Sequence, residues 1–85
     1  MNITENDIDE VREIFKNLVQ EAKDSNLIQW NDGLNFSDFI YALWRLFNNH
    51  ENFKESTSKI LSMVPKDTAI DILAQEIKGI KINYK

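Results

Sequence analysis

The chain holds few side chains able to do covalent or metal chemistry, and their spacing limits what they could do together. His50 is the only histidine and there is no cysteine. A histidine-paired nucleophile, a thiolate site and a multi-histidine metal site are therefore excluded within one chain. His50 stands in the polar run Asn48-Asn49-His50-Glu51-Asn52, which reads as a solvated connection between helices. Carboxylates recur at helical spacing, Glu10 with Glu13, Glu51 with Glu55 and Asp67 with Asp71. Such pairs bind divalent cations or move protons when further ligands converge on them. His50 beside Glu51 is a lone histidine in a polar run and no set of three or four ligands is spaced to converge on any of the pairs, so they read as solvated helix faces, and no catalytic residue, metal site or cofactor is expected. Gly33 and Gly79 stand alone, which removes any glycine-rich phosphate loop.

Ser37 is the remaining side chain placed for covalent chemistry. It opens an apolar helix shortly after Gly33, in a small acidic chain with four expected helices, and the segment from Asp67 to Ile77 reads as a closing helix. Together these features are similar to acyl or peptidyl carrier proteins. The resemblance implies Ser37 as the attachment site of a phosphopantetheine arm. Carriers have Asp-Ser-Leu at that point, whereas this chain has Phe36-Ser37-Asp38. A second, shorter resemblance covers Asp32 to Phe39, which looks like the latter half of an EF-hand loop running into its exit helix. Leu27 and Gln29 then fall where that loop needs its first two oxygen ligands, so no calcium site is assigned. Colicin immunity proteins share the length, acidity and expected helix count, but their tyrosine pair has no counterpart here.

The charge is uneven. The net charge is −4. Residues 1–38 hold nine acids against three bases, and residues 39–85 hold five acids against seven bases. The bases are scattered and form no stripe, which argues against nucleic-acid binding. No apolar run approaches a transmembrane length, and the N-terminal residues are acidic where a signal peptide is basic and then apolar, so a cytoplasmic protein with no membrane association is expected.

The elements that would position these side chains follow from periodicity. With 85 residues, 42% of them hydrophobic and two glycines, the chain reads as one domain over 1–85 with a real but small core. Thr4 with Asp7 resembles a capping box, flanked by Ile3 and Ile8 as a hydrophobic staple, and starts a helix over about residues 5–24. Its apolar seam is Ile8, Val11, Ile14 or Phe15, Leu18, Val19 and Ala22. Leu27 to Trp30 and the turn Asn31-Asp32-Gly33 read as a loop closing one end of the core. Asn35 then caps a helix over 36–48, in which Phe36, Phe39, Ile40, Leu43, Trp44, Leu46 and Phe47 crowd half the circumference. This is the stretch the others must wrap.

Asn52 with Glu55 is expected to cap a third helix over 53–64 with the stripe Phe53, Thr57, Ile60, Leu61 and Val64, ended by Pro65. Asp67 is expected to cap a fourth over 68–78, with Ile70, Leu73, Ala74 and Ile77 on one face and Gly79 as its terminator. Ile80 to Lys85 alternates apolar and polar residues, a strand-like pattern, and is expected either to dock Ile80 and Ile82 on the bundle and fray beyond or to pair as a short β-like tail. The expected class is all-α, a compact four-helix bundle.

With chemistry disfavoured, the expected function is a non-catalytic protein-binding module, such as an inhibitor, an immunity-type protein or a phage or plasmid regulator. Its partner would be another protein with a basic surface. The expected contact residues are Asp9, Glu10, Glu13, Glu21 and Asp24 on the first helix, with Trp30 and Tyr41 and exposed aromatic surface near Trp44. Tyr41 does not fit the central stripe, and is expected to be covered by a neighbouring helix or else to serve as an interface anchor. A structural homodimer is the third class considered.

Overall fold

A computed structural model of the chain describes residues 3–27 and 35–84, the side chains of the second span as far as Lys78. Within them lie four helices, α1 (Glu5–Asp24), α2 (Phe36–Asn49), α3 (Glu51–Met63) and α4 (Lys66–Tyr84). The expected four-helix bundle is therefore the fold. The loop read at Leu27 to Gly33 lies, beyond Leu27, outside the described residues.

The start of α1 is a complete capping box. The Asp7 N–H donates to Thr4 Oγ1 and the Thr4 N–H donates to Asp7 Oδ2, both at 3.2 Å. Two donors that the first turn would otherwise leave unpaired are satisfied reciprocally. At the other end the Leu27 N–H donates to Ala22 O and the Asn26 N–H to Lys23 O, with Asn26 at φ 57°. This is a Schellman closure with asparagine in the left-handed position that glycine usually fills. Of the two candidates for the seam, Phe15 is buried and Ile14 half-buried, so Val11, Phe15, Leu18, Val19 and Ala22 form the inner stripe.

Asn35 Oδ1 accepts the Ser37 N–H at 2.8 Å and begins α2 as expected. The helix runs through Asn48 and Asn49, because Asn48 folds its amide back onto Trp44 O at 2.8 Å. The connection expected over Asn48 to Asn52 is confined to His50. Its N–H completes α2 by donating to Leu46 O, and its carbonyl begins α3 by accepting from Phe53 and Lys54. Its Nδ1 accepts the Asn52 N–H at 3.2 Å, and its ring lies 5.1 Å from that of Phe53. The third helix therefore starts two residues earlier than expected, and His50 replaces Asn52 as its cap. A ring nitrogen lone pair does here what an asparagine oxygen would do.

Val64 is extended before Pro65, as the proline requires. The inner stripe of α3 is Phe53, Thr57, Ile60 and Val64, whereas Leu61, expected inside, is 42% exposed. Among the described residues, Thr57 is the one buried polar side chain. Its hydroxyl lies 2.9 Å from both Phe53 O and Phe47 O. Phe47 O belongs to the last turn of α2, where carbonyls lack a helical partner. Thr57 therefore ties α3 to an orphan acceptor of α2.

The largest departure from expectation is at the C-terminus. Asp67 lies within the first turn of α4 rather than capping it, and the Ala69 N–H donates to Pro65 O. Gly79 does not stop the helix, and residues 80–84 are helical rather than strand-like. A glycine inside a helix costs about 1 kcal/mol relative to alanine, which a helix anchored by buried Ala69, Ile72, Leu73 and Ile77 absorbs. Ile70 and Ala74, expected to face inward, are half-buried.

Each of α1 and α2 packs along both α3 and α4, while the backbones of α1 and α2 scarcely approach one another. The two therefore occupy opposite corners, and long aromatic side chains meet between them. The Phe15 ring lies 6.3 Å from those of Trp44 and Phe47, and Phe47 meets Phe53 edge-on at 5.4 Å. Replacing Thr57 by valine keeps the shape and deletes the hydroxyl, so urea unfolding should show a loss of about 1–3 kcal/mol, the cost of leaving a buried carbonyl unpaired. Asn26→Gly should instead raise stability by up to about 1 kcal/mol, since glycine enters the left-handed region without penalty.

Candidate protein-binding surface

Residues three, four and seven apart share one side of a helix, so the inward pull of Val11, Phe15 and Leu18 decides what α1 shows to solvent. Asp9, Glu10, Glu13, Glu21 and Asp24 are all exposed and fall on the side opposite the seam, interspersed with Asn17 and Gln20. The capping box and the buried stripe hold this face on a straight 20-residue helix, roughly 30 Å long.

The two halves of the face differ electrostatically. In the N-terminal half, Arg12 Nη1 pairs with Asp9 Oδ1 at 3.1 Å, and Arg12 Nη2 reaches Gln75 Oε1 of α4 at 3.5 Å. Lys59 Nζ of α3 lies 3.4 Å from Glu10 Oε1. Both carboxylates are thus partly neutralised by bases that also link α1 to its neighbours. From Glu13 onward, Gln20 Nε2 donates to Asp24 Oδ1 at 2.9 Å, and no ion pair among the described residues engages Glu13, Glu21 or Asp24.

The aromatics expected to complete the surface are not together with these acids. Trp44 is only 6% exposed and packs against Phe15, so it belongs to the core and is not a surface anchor. Tyr41 is 50% exposed, and no neighbouring helix covers it. It lies on α2, across the bundle from α1, so the acidic face and Tyr41 look in different directions. Trp30 lies outside the described residues. Ser37 is exposed in the first turn of α2, and the pairs Glu51 with Glu55 and Asp67 with Asp71 are exposed on α3 and α4. Among the described residues, no three metal-ligating side chains converge, and no helix is long and apolar enough to cross a membrane.

One surface feature has no counterpart in the sequence reading. Ile3, Leu61, Ser62, Met63, Val64 and Pro65 line a shallow, mainly apolar groove of about 260 Å³ where the start of α1 meets the end of α3. The outward turn of Leu61 makes it, and a helical stripe that included Leu61 concealed it.

The Glu10–Lys59 pair is half-exposed on both sides. A double-mutant cycle with alanine at both positions should give a coupling of no more than about 1 kcal/mol, fading as salt is raised. A larger, salt-resistant coupling would show that the pair fixes the α1–α3 packing rather than only trimming the charge of the face. The chain matches no protein-family model, no curated protein and no solved structure.

Proposed function

We propose that this protein is a non-catalytic binding module, an inhibitor or regulator acting in the cytoplasm, that engages a basic surface of a partner protein through the outer face of α1. The observation that carries the reading is the alignment of five exposed carboxylates on one rigid helix, with Glu13, Glu21 and Asp24 free of ion pairs among the described residues.

Charges placed this way act first on encounter. A run of like charge raises the association rate of a partner of opposite sign and disfavours partners of the same sign. The helix is already ordered by its caps and its buried seam, so little conformational entropy is lost when a partner's lysines and arginines meet these carboxylates. The internal pairs at Asp9 and Glu10 partly neutralise those two carboxylates, which leaves Glu13, Glu21 and Asp24 without an ion pair among the described residues.

The test is affinity capture from the protein's own cells with wild type and with the Glu21→Lys/Asp24→Lys double variant, at two ionic strengths, with native mass spectrometry of what is held. The expected result is a protein partner whose retention falls at least about tenfold on charge reversal, and falls again as salt rises. A partner retained equally by both proteins at both salt concentrations would overturn the acidic-face reading. A covalent increment mapped to Ser37 would replace it with the carrier reading, since that hydroxyl is exposed at a helix start.

A further inference from the structure

We propose that His50 is the hinge of a domain-swapped dimer, in which a second copy of this chain supplies the α3–α4 half that packs on α1 and α2, while α2 and α3 of each chain join into one helix. The inference is independent of the partner proposed above, because the outer face of α1 stays outward in either form.

The junction is a single residue, with α2 ending at Asn49 and α3 starting at Glu51. The hydrogen bonds on either side of it are already helical in spacing, from the His50 N–H to Leu46 O at 2.9 Å and from the Lys54 N–H to His50 O at 3.1 Å. His50 has φ −82°, inside the helical range, and ψ 130°, outside it. Rotation about that one bond by roughly 170° makes the segment Phe36 to Met63 continuous, about 42 Å long. Asn48 and Asn49 are already helical, so joining the helices asks for a change of conformation only at His50.

The packing is what makes a second copy the fitting partner. The extensive interfaces are those of α1 and of α2 with α3 and α4, whereas α1 with α2 and α3 with α4 touch least. The core therefore lies between an N-terminal half and a C-terminal half that meet covalently at His50. A second copy exchanging halves remakes the Phe47–Phe53 ring contact, the Thr57 hydroxyl to Phe47 O bond and the Glu10–Lys59 pair with the same geometry. The Phe15 contacts with Trp44 and Phe47 stay within one half and are undisturbed. The two forms then differ at the hinge. The closed form keeps the Nδ1 cap on Asn52 and the tilted contact of the His50 ring with Phe53. The exchanged form gains helical donors for the last carbonyls of α2 and loses the freedom of separate chains.

The test is refolding at micromolar and at millimolar chain concentration, followed by light scattering on separated species, for wild type and three variants. His50→Ala removes the cap and favours helix, so it should raise the dimer-to-monomer ratio roughly tenfold or more, two caps being lost per dimer. His50→Asn keeps a capping acceptor and should stay within a few-fold of wild type. Glu51→Pro should give only monomer. Proline is well tolerated as the first residue of α3 and holds the preceding residue in the extended ψ that His50 already has, but it breaks a helix running through position 51. A dimer that persists in a folded Glu51→Pro protein would overturn the hinge. So would equal ratios in the alanine and asparagine variants, or a His50→Ala protein that stays monomeric at millimolar concentration.

Discussion

The bundle depends on the burial of one residue, Phe47, more than on any other. Its ring touches Phe15 of α1 and Phe53 of α3, and its carbonyl, left without a helical partner near the end of α2, takes the Thr57 hydroxyl. Apolar area and an unpaired backbone acceptor are thus satisfied at the same place. The consequence is geometric. Once Phe47 is filled from both sides, α3 must turn back directly after α2, and the chain has a single residue, His50, in which to do so. That His50 caps both helices follows from how little chain is available there.

The same aromatic centre arranges the surface. Phe15 meets Trp44 and Phe47 across the middle of the molecule, which keeps α1 and α2 at opposite corners and turns their solvent faces apart. The carboxylates of α1 are therefore presented on one side of the molecule, interspersed with Asn17 and Gln20, with Tyr41 on the far side. Arg12 and Lys59 reach in from the edges of that face to neutralise its first half. Exposed pairs of this kind add little stability.

Much of the architecture was legible in the sequence because it rests on local rules. The Thr4/Asp7 capping box, the Asn35 cap, the extended Val64 before Pro65 and the inner stripes of α1 and α2 follow from side-chain chemistry within a few residues and from a period of 3.6. The acidic face of α1 was legible for the same reason, since it is the complement of the buried seam. What helical periodicity could not decide was how wide each stripe would be. Ile14 and Phe15 are neighbours on α1, and only the presence of Trp44 and Phe47 opposite them selects Phe15. Leu61 fits the α3 stripe by spacing, yet it is exposed while Ile60 and Val64 beside it are buried.

The sequence by itself determined that the chain is helical, where its first two helices begin, and that its carboxylates gather on one helix. The tertiary structure alone decided that His50 is the whole of the α2–α3 connection, that α4 continues past Gly79 to Tyr84, and that Trp44 is core while Tyr41 is surface. The physical reason is common to all three. A capping preference, a glycine penalty or the direction of one aromatic ring is worth about 1 kcal/mol, and the packing of helices around a shared aromatic centre is worth several times as much. Local preferences therefore hold where packing is indifferent, and yield where it is not.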